Sequence, residues 1–224
     1  MINSTYAAQL VAASYDPIPP DVFDTIYRNQ AITVCTKTVG DTLCIVLPGT
    51  EKERDVIIDF ESQFNLHQHP ILGLIVESFY EGVDDAFAFL KPLIAKVQQV
   101  AFAAHSAGCA RALDLAGLVI YEQKSIACID IFEPPLNSDQ YLVDFVRDNT
   151  LRFRAFCNGS KLEGDPVPYL PWHKKLVQHT LIDINTKPPA PWGLERIHRH
   201  LMATVLEGVT HWETQLDNHR LSEH

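Results

Sequence analysis

Residues 100–108, with the sequence VAFAAHSAG, place a serine where a nucleophile could act. The small and apolar residues before Ser106 predict a strand buried on both faces, and the following ARALDLAGLVIYE predicts a helix. A sharp bend between them would raise the Ser106 hydroxyl and leave the Ala107 N–H at a helix N-terminus, where an oxyanion is stabilised. The pattern is G-x-S-x-G with Ala104 replacing the first glycine. Taken alone, such a serine is more often a helix N-cap.

A serine nucleophile also needs a base and a carboxylate that orients the base, in the chain order serine, acid, histidine. Asp165 is the best-placed acid, because it follows a predicted strand end and precedes a proline-rich loop. His198 and His200 lie where the last predicted helix begins, and either could serve as the base. The turn Pro48-Gly49-Thr50 ends another predicted strand, so Thr50 is a candidate second donor to an oxyanion.

The remaining periodicity predicts the elements that must position these side chains. Helices are expected at residues 6–15, 21–29, 73–97, 139–147 and 194–208. Strands are expected at residues 31–38 and 42–47, joined by a hairpin at Gly40-Asp41, and at 125–132, 151–157 and 178–184. Residues 61–70 are expected to form a loop, and residues 164–172, with three prolines, to lack regular structure.

Alternating strands and helices predict an α/β fold, with a mostly parallel sheet covered by helices on both faces. Because no repeat or long linker interrupts the 224 residues, we expect one domain over residues 1–224.

Composition excludes several classes of function. A net charge of −10 argues against nucleic acid as a partner. No apolar run is long enough for a transmembrane segment, and no signal peptide is visible, so a cytoplasmic location is expected. The five cysteines form no C-x-x-C pair and fall in apolar runs, which predicts buried free thiols. His67 and His69 lack further ligands at suitable spacing, so no metal is expected.

Several segments resemble the class 3 lipases, the fungal-type triacylglycerol lipase family of α/β-hydrolases. In the family's own order these segments are YAAQLVAASYD, LCIVLPGTEKERDVIIDFE, LIVESFYEGVDDAF, VAFAAHSAGCARALDLA, FRAFCNGSKLEGDPVPYLP and RHLMATVLEGV. The DPVPYLP stretch, at its distance from the serine, is the most specific of them.

The resemblance implies Ser106 as nucleophile, Asp165 as acid, and Thr50 and Ala107 as oxyanion donors. It favours His200 over His198 as the base, because His200 fits the family's His-x-Met/Ser pattern better. The surrounding residues depart from the family, with Pro48 in place of arginine, Val56 in place of tryptophan, and Glu133-Pro134-Pro135 in place of Gly-x-Pro-Arg.

The resulting expectation is a serine hydrolase that cleaves acyl or lipid esters through an acyl-enzyme and needs no cofactor. Two alternatives remain open at this point. The divergent surroundings would suit a catalytically inactive, lipase-like binding module. The same triad would equally serve a thioesterase, an amidase or an acyltransferase.

Overall fold

The computed structural model describes residues 2–15, 17–49, 65–159, 167–170, 175–185 and 202–222. Helix α1 (Ser4–Ala13) comes first, and its N-cap residue Asn3 accepts a hydrogen bond from the Tyr6 N–H. Strands β1 (Thr25–Arg28), β2 (Thr33–Val39) and β3 (Thr42–Leu47) follow. The predicted β2–β3 hairpin is confirmed, with Gly40 at a φ of 58° in its turn.

The helix predicted for residues 21–29 is wrong, because this part of the chain forms β1. Thr25, Ile26 and Tyr27 are β-branched or aromatic residues, which favour strands. They pair antiparallel with β2, with Ile26 opposite Cys35. Tertiary pairing therefore overrides the helical signal that Asp21 suggested.

The long helix predicted for residues 73–97 is also wrong in its first part. The chain instead forms a hairpin of β4 (Leu66–His69) and β5 (Gly73–Val76), then a short helix α2 (Glu77–Tyr80) and helix α3 (Val83–Ile94). Gly73 and Gly82 have φ values of 77° and 79°, which a continuous helix cannot contain. Part of the loop predicted for residues 61–70 is thus strand β4.

The central predictions are confirmed with small shifts of boundary. These elements are β6 (Gln99–His105), α4 (Ala107–Tyr121), β7 (Ile126–Phe132), α5 (Gln140–Asp148), β8 (Phe153–Cys157) and β9 (Leu181–Asp183). Within residues 164–172, the described part contains one 3-10 turn at Val167–Tyr169, contrary to expectation. The last helix, α6 (Met202–Ser222), extends well past the predicted end at Gly208.

Among the described residues, seven strands form one sheet in the order β1-β2-β3-β6-β7-β8-β9. In this sheet β3, β6, β7, β8 and β9 pair in parallel, whereas β2 pairs antiparallel with both β1 and β3. Helices α3, α4 and α5 contribute to the core on one face, and α1 and α6 contribute to the core on the other. The predicted fold class is therefore confirmed, and the carboxyl ends of β3, β6, β7 and β8 share one edge. The single domain stays a prediction.

The five cysteines are all buried and none is in a disulfide, as the sequence predicted. The cytoplasmic location expected from the sequence stays a prediction. None of the described helices combines the length and the apolar character needed to cross a membrane.

Asp114, fully buried on α4, makes stability depend on pH. Its Oδ1 accepts a hydrogen bond from Asn137 Nδ2 at 3.0 Å. Burial raises the pKa of Asp114 to about 7, although the Asn137 hydrogen bond and the charge of Arg111 act to lower it. The folded protein therefore retains a proton that the unfolded chain has lost between about pH 4 and pH 7.

We expect Asp114 to lower the free energy of unfolding as the pH rises through that window, with no further fall above it. The effect is on the order of 4 kcal/mol in total. Asp114→Asn should remove this slope, and urea unfolding at a series of pH values measures it. Asp85→Asn on the exposed face of α3 is the control, and equal slopes in both variants would contradict the assignment.

Candidate active site

The bend between β6 and α4 consists of Ser106 alone, since β6 ends at His105 and α4 begins at Ala107. Ser106 has a φ of 54° and a ψ of −131°, which is strained for a residue with a Cβ. Its N–H donates to the carbonyl of Phe132 at 2.9 Å, which holds the bend against the end of β7. The predicted strand, bend and helix are thus present, and the catalytic role of Ser106 stays a prediction.

The chain leaving β3 lies directly against this bend. A Cβ on Gly108 would lie 2.5 Å from the Pro48 carbonyl oxygen and 2.6 Å from that of Leu47. A Cβ on Gly49 would lie 2.9 Å from the Ser106 Cβ. Only glycine allows such approaches, so these two positions bring the end of β3 into contact with Ser106.

Tyr15 fixes this approach from a third element, just after α1. Its hydroxyl oxygen accepts a hydrogen bond from the Gly49 N–H at 2.8 Å and lies 2.5 Å from Nδ1 of the buried His105. Reasoning from the residues alone missed Tyr15, treating it only as a helix end. The one signal for it was the likeness of YAAQLVAASYD to the N-terminal motif of the lipases.

Ala107 opens the first turn of α4, where backbone N–H groups have no partner within the helix. The positive end of a helix dipole also lies there, so this position suits the stabilisation of a developing negative charge. Cys109 does not compete as a nucleophile. Burial raises the pKa of its thiol well above the usual value, and its Sγ donates to the Phe132 carbonyl at 3.2 Å.

Thr50, Asp165, His198 and His200 lie outside the described residues, so their roles stay predictions. For Asp165, the described residues before it show at which edge of the sheet the chain leaves β8. Residues 158 and 159 follow β8 at its carboxyl end, which is on the same edge of the sheet as Ser106 because β6, β7 and β8 are parallel. Residue 159, the last described residue before Asp165, therefore lies at the edge of the sheet that carries Ser106.

His69 on β4 has a structural explanation. His69 Nδ1 accepts hydrogen bonds from the N–H groups of Ile71 and Leu72 at 3.2 and 3.1 Å, which fixes the hairpin turn. Within the described ranges, no cluster of three or more histidine, cysteine or acidic side chains is arranged to hold a metal ion.

A mostly parallel sheet covered on both faces, with a strained serine between a central strand and the next helix, defines the α/β-hydrolase type of fold. Solved fungal lipases share this fold. The chain is 17% identical to a mutant of MDLA from Penicillium cyclopium, with a TM-score of 0.67 and coverage of 86% of this chain and 83% of that chain.

The Rhizomucor miehei triacylglyceride lipase is 20% identical to the chain, with a TM-score of 0.56 and coverage of 75% of this chain and 73% of the lipase. A triacylglycerol lipase described as having a serine protease triad at its catalytic centre is 19% identical, with a TM-score of 0.61 and coverage of 75% and 73%. No protein-family model and no curated protein matches the chain. At these identities the likeness shows the fold.

Proposed function

We propose that the protein is a serine hydrolase that cleaves carboxylic esters of acyl or lipid type. The strained bend at Ser106 carries this proposal, because it combines a buried hydroxyl, a helix N-terminus and the close approach of Gly49 at one point. The fold shared with triacylglycerol lipases supports ester hydrolysis as the class of reaction.

In the proposed reaction, His200, oriented by Asp165, accepts the Ser106 proton while Oγ attacks the ester carbonyl. The N–H of Ala107 and a donor from Thr50 stabilise the tetrahedral oxyanion. The imidazolium then protonates the departing alcohol, which leaves an acyl group on Ser106. Water, deprotonated by the same imidazole, attacks that acyl group. The imidazolium then returns the proton to Ser106 Oγ as the bond to the acyl group breaks and the acid leaves.

A fluorophosphonate tests the nucleophile and the base in one measurement. We expect one covalent adduct by intact mass, mapped to the Ser106 peptide. His200→Ala should be labelled at least about tenfold more slowly because the serine loses its base, whereas His198→Ala should be labelled almost as fast as the wild type.

The opposite order of the two histidine variants would assign the base to His198. No adduct, together with no turnover of p-nitrophenyl esters, would contradict hydrolysis and favour the inactive binding module. Comparing kcat/KM for ester, thioester and amide substrates separates the proposed esterase from a thioesterase or an amidase.

A further inference from the structure

Glu133, the first residue after β7, is a fully buried acid in a strained conformation. Its φ of 54° is unusual for a residue with a Cβ. Burial of a carboxyl group in the interior is also unfavourable unless hydrogen bonds compensate for lost water. Two unfavourable features in one residue beside the proposed nucleophile require a compensating role.

The contacts of Glu133 hold the carboxyl ends of neighbouring strands together. Its Oε1 accepts a hydrogen bond from the Asn158 N–H at 2.7 Å, and its own N–H donates to the Phe156 carbonyl at 2.8 Å. The preceding residue, Phe132, accepts the N–H of Ser106. Glu133 therefore joins the exit of β8 to the strand end that holds the serine bend.

A second hydrogen bond holds the chain near the same loop further on. The Leu136 N–H donates to the Leu170 carbonyl at 2.7 Å. Residues 133–136 thus bind the described chain on both sides of residues 160–166, through Asn158 before them and Leu170 after them. The proposed acid Asp165 belongs to that span.

We propose that Glu133 is a positioning residue: its carboxyl group fixes the exit of β8, from which the chain continues to Asp165, relative to Ser106. This inference rests on the proposed function. Glutamate suits the role because its side chain reaches the neighbouring strand and its Oε1 accepts the Asn158 N–H there. Its role differs from that of the triad, since it acts through the backbone of Asn158.

Replacing Glu133 by alanine should lower kcat about tenfold to 10²-fold with little change in KM, because catalysis is sensitive to small displacements of the triad. Glu133→Gln keeps an oxygen that accepts the Asn158 N–H and should retain most of the activity. Glu133→Asp, which is one methylene too short, should fall between them. Aspartate also tolerates positive φ values, so this variant keeps the test available if Glu133→Ala does not fold.

The pH profile and a double-mutant cycle separate positioning from general damage to the structure. A displaced Asp165 no longer raises the pKa of the base, so the acid limb of kcat/KM should move to lower pH in Glu133→Ala. In an Asp165→Ala background, Glu133→Ala should cause almost no further loss.

Three results would each overturn the inference while the wild type still hydrolyses esters. They are additive losses in the double-mutant cycle, a Glu133→Gln variant as impaired as Glu133→Ala, and wild-type rates in both Glu133→Ala and Glu133→Asp. Absence of turnover and of phosphonate labelling in the wild type would overturn the proposed function, and this inference with it.

Discussion

Replacement of Ser106 by alanine should lower kcat/KM for a p-nitrophenyl acyl ester at least about 10³-fold, because it removes the attacking atom. The backbone cost of the bend stays nearly the same, since serine and alanine both carry a Cβ at the φ of 54°. The variant should therefore unfold at nearly the same urea concentration as the wild type. Its fluorophosphonate adduct should disappear in the intact-mass spectrum.

Ser125→Ala is the matched control. Ser125 is exposed just before β7, at the end of the sheet opposite to the bend. We expect this variant to keep wild-type turnover and labelling. Residual turnover close to wild type in Ser106→Ala would show that another group performs the chemistry, and it would contradict the serine mechanism.

Sequence reasoning located the central sheet well because β6 and β7 are short apolar runs that stay buried on both faces. It failed where long-range pairing decides the structure. The segment Thr25–Arg28 is a strand because β2 is available beside it, and nothing within residues 21–29 reveals that partner. It also failed at Gly82, because the apolar spacing predicts one continuous helix there. Gly82 has a φ of 79°, so the chain instead forms two helices, α2 and α3.

For the candidate site, the sequence indicated Ser106 and Ala107 because a bend and a helix start leave a local pattern. Contacts between residues far apart in the sequence leave no such local pattern. Tyr15 and Gly49 meet through a hydrogen bond between segments far apart in sequence, so only coordinates bring them together. In the sequence, Glu133 is visible only as a departure from a family motif. Its positive φ and its hydrogen bond with the Asn158 N–H are properties of the folded chain.

Gly108 lies where close packing holds the bend of the proposed active site. Replacing it by alanine should therefore lower both the stability and the reactivity of the protein. The new methyl group would approach the carbonyl oxygens of Pro48 and Leu47 to 2.5 and 2.6 Å. Both are backbone atoms, so either α4 or the end of β3 must move. We expect the free energy of unfolding to fall by about 1–3 kcal/mol, as for other overpacked interiors, measured by urea unfolding.

Gly117→Ala in the same helix is the matched control, because it adds the same methyl group to α4 away from the bend. A Cβ on Gly117 would lie 2.5 Å from Leu72 Cδ2 and 3.0 Å from Leu142 Cδ1, which are the ends of buried side chains and not backbone atoms. Gly117→Ala should therefore cost less stability than Gly108→Ala and leave the labelling rate unchanged. Gly108→Ala should also label with fluorophosphonate at least about tenfold more slowly while folded, because the strain displaces the chain that lies against Ser106. Equal stability and equal labelling in the two variants would show that the contact between β3 and α4 does not hold the bend in place.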